Sequence, residues 1–235
     1  MSIQDWGQDV QRQVYDIWDS NMELRESSDG VQPFTSPLQP DVPLMIMGYN
    51  PGAYSGSRDK PEMMEQFENG VFDLPSERDY AAGGADYPVA RFIRETIFQN
   101  HDILTESIET NRYYLRTSGI GEHDTLRNEA PEYIDFCRDK TAELIERADP
   151  DTILAFGMRT HKSLRDDDRY DEYNIIREQS RLQGDGNRTL FLEVTLDGRQ
   201  VLVFTHPSPK NLPRVIENEK EKELIAEFIR GAMDI

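Results

Sequence analysis

The stretch VPLMIMGYNPGAYSG, residues 42–56, decides how the rest of the chain is read. Leu44, Met45, Ile46 and Met47 form a short apolar run, which breaks into Gly48, Tyr49, Asn50, Pro51 and Gly52. An apolar run of this length, closed by turn residues, predicts a strand buried on both faces. Gly48 admits backbone conformations closed to other residues, or a close approach by another group. Pro51 fixes its own φ and holds Asn50 out of the helical region, and Pro51-Gly52 favours a tight turn. The carboxamide of Asn50 is thereby expected at the C-terminal end of a central strand, the edge at which open α/β sheets bind ligands. An ordinary strand followed by a Pro-Gly turn has the same signature, so the reading depends on what else reaches that edge.

A second cluster supplies it. The apolar run Val201, Leu202, Val203 and Phe204 ends in Thr205, His206, Pro207, Ser208, Pro209, Lys210 and Asn211. The two prolines stiffen the chain and fix His206 at a strand end. In a parallel sheet the C-terminal ends share one edge, so Asn50 and His206 can converge.

Between these clusters the chain alternates helix and strand. Residues 2–21 read as an amphipathic helix, with Trp6, Val10, Val14, Ile17 and Trp18 at spacings of three and four. Residues 57–88 read as an irregular loop with a short helix at 62–67, and residues 89–99 as a helix. Loops after a central strand often carry function; Phe67, Phe72, Tyr80 and Tyr87 lie in this one, where each either stacks on a planar ligand or packs beneath the loop. Residues 107–116 read as a strand containing Asn111. Residues 131–147 read as a helix with Pro131 at its start and Cys137 on its buried stripe. Residues 151–157, DTILAFG, read as a third buried strand, followed by a helix carrying a structural His161. Asp197-Gly198 between two alternating runs predicts a hairpin, and residues 216–233 a final amphipathic helix. The expected fold is a single three-layer α/β/α domain over residues 1–235. Its core is a mostly parallel four-stranded central sheet, with an extra hairpin arm before the last core strand.

Composition bounds the function. The longest apolar run is too short for a transmembrane helix, and the N-terminus lacks a basic and apolar signal, so a cytoplasmic protein is expected, without a membrane partner. The single cysteine, Cys137, excludes an internal disulfide and an all-cysteine metal or iron–sulfur site. The net charge of -19 argues against a basic nucleic-acid surface. However, of 26 basic residues 20 are Arg and only 6 are Lys. A highly acidic, Lys-poor surface is typical of proteins from very salty cytoplasm, where the charge is screened. In that reading the charge reports habitat, not ligand.

With both clusters in view, the chain resembles the uracil-DNA glycosylase superfamily over roughly residues 40–230. GYNPG is similar to the Gly-x-Asn-Pro-Gly first motif of its mismatch-specific and single-strand-selective branches, and HPSPKN to the His-Pro-Ser-Pro second motif. The resemblance implies a monofunctional DNA glycosylase. Such an enzyme hydrolyses the N-glycosidic bond of uracil or another deaminated base in base excision repair, as a monomer acting on DNA without metal or cofactor. It implies that Asn50 holds the attacking water and that His206 donates to the departing base. Gly48, Tyr49, Pro51, Gly52, Asn111 and Ser208 would then line the base pocket, Asn111 reading the base edge. Pro209, Lys210, Asn211 and Leu212 would form the loop that fills the gap left by a flipped base. The alternative is a protein of the same fold without glycosylase activity, binding a nucleobase, nucleic acid or protein.

Overall fold

The computed structural model describes residues 1–52, 62–81, 87–99, 101–117, 125–126, 128–183, 186–205 and 219–235. Among them the apolar runs form the centre of one sheet. Strand β1 (Leu44–Gly48) and β3 (Thr152–Phe156) are buried at every residue, as expected of strands covered on both faces. With β2 (Ile108–Asn111), β4 (Tyr173–Gln183), β5 (Gly186–Leu196) and β6 (Arg199–Phe204), the sheet order is β2-β1-β3-β6-β5-β4. The pairs β1–β2, β1–β3 and β3–β6 are parallel, and the pairs β5–β6 and β4–β5 antiparallel.

The expected four-stranded sheet is therefore corrected to a six-stranded mixed sheet. Its parallel half is the block β2-β1-β3-β6, and a long hairpin adds two antiparallel strands beyond β6. Asp197 and Gly198, at φ 46° and 82°, make the β5–β6 turn with the left-handed backbone such hairpins require. Strand β4 gives no strand signal in the sequence. Its segment, YNIIREQSRLQ, has no period-two apolar alternation, and Ile175 and Ile176 are both exposed at a register irregularity. It is an edge strand held by its ladder to β5, not by a buried face.

Helices cover both faces. On one side α1 (Ile3–Ser20), α2 (Met22–Glu26), α3 (Glu62–Glu68), α5 (Pro131–Ala148) and α6 (Met158–Arg165) pack on Met45, Met47, Ile153 and Val203. Cys137 of α5 is fully buried there, as its place on the stripe predicts. On the other side α4 (Pro88–Phe92), its π-helical continuation to Ile97 and α7 (Glu219–Ala232) pack on Ile46, Leu154, Leu202 and Phe204. The 107–116 strand of the sequence reading is shorter, since β2 ends at Asn111. The outer edge of β2 is closed by the 31–36 segment, whose Thr35 N–H donates to Glu109 O at 3.1 Å, so the sheet presents no open ladder there. No helix of the described residues is long and apolar enough to cross a membrane.

Leu154 has no exposure and sits on the central strand. Leu154→Ala should cost about 2–5 kcal/mol, read as a lower denaturation midpoint in molar potassium chloride; a change under about 1 kcal/mol would contradict the packing described.

Candidate functional site

The 48–52 turn is fixed by a second piece of chain running beside it. After β2, Arg112 N–H donates to Gly48 O (2.8 Å), Tyr113 N–H to Tyr49 O (2.9 Å) and Thr117 N–H to Pro51 O (3.4 Å). The parallel pairing thus continues past the sheet as single hydrogen bonds. Tyr49 is buried with its ring edge-on to Tyr113, centroids 5.1 Å apart. Pro51 is buried and Gly52 exposed.

Asn50 is half-buried. Its Nδ2 donates to Pro51 O and to Thr117 Oγ1, both at 2.9 Å. Both amide hydrogens are used, so the carboxamide cannot turn freely, and Oδ1 is left as the acceptor. A neutral amide so held can orient a water molecule by accepting one of its protons; it cannot remove that proton outright.

Gly48 has a steric task. A Cβ there would lie 2.5 Å from Asn111 Oδ1 and 2.6 Å from Phe156 Cζ. Asn111, the last residue of β2, is only 9 % exposed, yet its carboxamide makes no hydrogen bond among the described residues. Buried amides are normally paired, so this one presents a donor and an acceptor at the strand ends. Phe156, the last residue of β3, lies beside it, with Tyr80 and Phe204 ring centroids 6.5 and 6.2 Å away. Tyr87 stands edge-on to Tyr80 and is partly exposed. Of the four loop aromatics, Phe67 and Phe72 pack under the loop against Tyr15, whereas Tyr80 and Tyr87 border the site.

Beneath Tyr80 lies Glu109, fully buried on the same face as Asn111. Its carboxyl accepts from Tyr80 N–H at 3.0 Å. Burial pushes its pKa up to about 8; the Tyr80 N–H opposes that rise, and the neighbouring Asp79 charge adds to it. The carboxyl therefore clamps the loop that carries Tyr80 against Phe156.

The structure pairs Asn111 with Gly48 at the strand ends and holds Asn50 in the turn that follows with Pro51 and Gly52, whereas the Tyr49 ring packs on Tyr113 in the core of the other face. His206, Ser208, Pro209, Lys210, Asn211 and Leu212 lie outside the described residues, as does His123. The chain reaches the same edge through Phe204, which is paired in register with Phe156, and Thr205 is anchored by donating to Leu190 O and Thr189 O. Tyr80 was named only as one of four loop aromatics; Phe156, Thr117 and Glu109 were not picked out by sequence reasoning. Phe156 alone had a usable signal, because it stands before Gly157 at the end of an apolar run just as Met47 stands before Gly48. His161, expected to be structural, has Nδ1 2.5 Å from the Tyr173 hydroxyl.

The raised pKa of Glu109 has a stability consequence. A carboxyl raised from an ordinary 4.5 to about 8 binds its proton more tightly in the folded chain. Folding stability is then full below pH 4.5 and falls as pH rises toward 8. Each pH unit across that window removes about 1.4 kcal/mol. Glu109→Gln keeps an acceptor for Tyr80 N–H without the ionisation. It should flatten the decline and be the more stable protein at alkaline pH in denaturant titrations. Equal pH slopes in both proteins would refute the assignment.

Comparison of the sequence with known protein families and with curated proteins finds no match.

Proposed function

We propose that the protein is a monofunctional DNA glycosylase that hydrolyses the N-glycosidic bond of a deaminated base. The observation that carries this reading is the carboxamide of Asn111, unpaired among the described residues and nine-tenths buried between Gly48 and Phe156 at the end of the parallel sheet. A carboxamide offers one acceptor and two donor hydrogens, the complement of a nucleobase edge with an adjacent carbonyl and ring N–H. The aromatic residues beside it suit a planar heterocycle, which must leave the base stack to reach a strand-end pocket.

Asn50 takes the role of holding water through Oδ1. Because it is a weak base, the C1′–N bond breaks largely ahead of attack. The bonding pair leaves with the base, the water oxygen bonds to C1′, and the water proton passes to solvent or to the departing base. Stabilising the negative charge that develops on the base is then the main catalytic task, and it is assigned to His206 as a donor to a base carbonyl. Next to the turn, a cleft of about 280 Å³ is lined by Tyr49, Arg159, Lys162, Ser163 and Asp166; its two basic side chains suit a phosphate of the same strand. The second reading, a base- or protein-binding member of the fold without hydrolysis, is favoured by the net charge of -19.

One assay separates them: single-turnover excision from oligonucleotides carrying uracil, hypoxanthine, xanthine, or thymine opposite guanine, in low salt and in molar potassium chloride. The enzyme reading expects release of at least one base, and no release under either condition would leave the binding reading. Asn50→Ala and His206→Ala should each slow release by about two orders of magnitude, the usual worth of one oxyanion donor. Unchanged rates in both would remove the assigned roles.

The segment after His206 is assigned to duplex opening, with Lys210 or Leu212 filling the vacated stack. Lys210→Ala combined with Leu212→Ala should slow excision from duplex much more than from single strands, which have no stack to fill. Equal losses on the two substrates, measured at one salt concentration, would make the segment a plain connection.

A further inference from the structure

Directly behind Asn111 lies a pair of fully buried charges. Arg112 follows Asn111 where the chain bends out of β2, and its side chain reaches the α6 side of the sheet. Its Nη2 donates to the Asp167 carboxylate, and neither side chain has any exposure. Its Nε donates to Ser163 Oγ at 3.3 Å, and Ser163 Oγ lies 2.8 Å from the Tyr113 hydroxyl. The backbone of the same residue donates to Gly48 O at 2.8 Å and accepts from Thr141 Oγ1 at 3.3 Å. One residue is thus tied to β1, to α5 and to the end of α6. Asp167 is held in turn by Arg169, through its backbone N–H at 3.3 Å and Nη1 at 3.1 Å.

Stability alone does not account for this arrangement. Burying two charges is costly, and an apolar pair of the same volume is often as stable or more so. The network also leaves Arg112 Nη1 and the Tyr170 hydroxyl buried without a hydrogen bond among the described residues, a further cost. A guanidinium–carboxylate pair contributes direction, because its donors are fixed in a rigid plane. The backbone at the end of β2 is held on both sides, by β1 and by the 31–36 segment, but neither holds the side chain of its last residue. That residue is Asn111, whose carboxamide has no partner among the described residues to hold it.

We propose that the buried Arg112–Asp167 pair, linked through Ser163, is a positioning device that aims the Asn111 carboxamide and the 48–52 turn at a nucleobase edge; this rests on the glycosylase reading of the same site. The test is the double variant Arg112→Met/Asp167→Leu, which replaces the charges with apolar volume, studied in molar potassium chloride. Its melting temperature should be no lower than the parent's, while single-turnover excision at saturating protein falls tenfold or more. In ¹⁵N–¹H spectra the side-chain amide peaks of Asn111 and Asn50 should shift or broaden, with that of Asn174 on β4 unmoved. An unchanged excision rate, or unmoved Asn111 and Asn50 peaks, would overturn the proposal. Should the double variant not fold, Ser163→Ala breaks the link and leaves the ion pair. It should move the same two peaks and slow excision at least threefold, and failure to do either would overturn the proposal. A parent protein that releases no base refutes the functional reading, and the amide peaks alone then decide whether the pair positions Asn111.

Discussion

A methyl group at residue 48 would lie 2.5 Å from Asn111 Oδ1 and 2.6 Å from Phe156 Cζ. The rest of the site depends on that missing atom. β1 sits between β2 and β3 in the parallel block, so the last residues of its two neighbours can meet only across its own end. With a side chain at 48, Asn111 and Phe156 would be held apart and the strand end would be a filled core position. Without one, a carboxamide and an aromatic ring come together at the edge, and the chain turns immediately through Asn50 into Pro51. Glycine in a strand interior normally weakens it; here the cost falls on the last residue of a strand secured on both sides.

The parts of this arrangement legible in the sequence were those carried by apolar runs that stop abruptly. LMIMG, TILAF and the end of RQVLVF each showed a buried strand and its exit, and those three strands lie side by side. Asp197-Gly198 showed its turn because few residues accept positive φ. What stayed hidden has physical causes. β4 is exposed and polar, so nothing in its pattern distinguishes it from a solvated loop. Tyr80 lies in an irregular loop whose path is set by Glu109, and a buried carboxyl on an edge strand has no sequence signature. Arg112 reads like any charged residue following a short strand. The end of β2 was misjudged because residues 112–117 stay hydrogen-bonded, to the 48–52 turn and to the 29–32 segment, without continuing the strand.

Charge acts at two levels in this chain. Over the whole chain 45 acidic residues outnumber 26 basic ones, and surface pairs such as Arg12–Asp9 and Lys222–Glu219 are exposed on at least one partner. Such pairs contribute little each, about 0–1 kcal/mol, and molar salt shortens the screening length to about 3 Å. Self-repulsion among the excess carboxylates is reduced by the same salt, which is why the folded state belongs in high-salt assays. The interior groups beside the site, the Glu109 carboxyl and the Arg112–Asp167 ion pair, are shielded from that screening. Their effects on the site should therefore persist at salt concentrations that silence the surface.

Those interior groups are distributed by the simplest property of a strand. Along β2 and one residue beyond, Glu109 and Asn111 face the aromatic side, while Ile108, Thr110 and Arg112 face the helices of the other layer. The register repeats it: Glu109 pairs with Ile46 and Asn111 with Gly48 on one face, Ile108 with Met45 and Thr110 with Met47 on the other. A one-residue slip would exchange every one of these environments. It would put the Arg112 charge against Phe156 and bury the Asn111 carboxamide beside Asp167. The alternation therefore gives each layer a separate task. One face holds the Asn111 carboxamide above a buried carboxyl that clamps the loop, and the other holds the Arg112–Asp167 pair. Because the two sets share one backbone, the Asn111 carboxamide and the Arg112–Asp167 pair are separated by a single peptide unit.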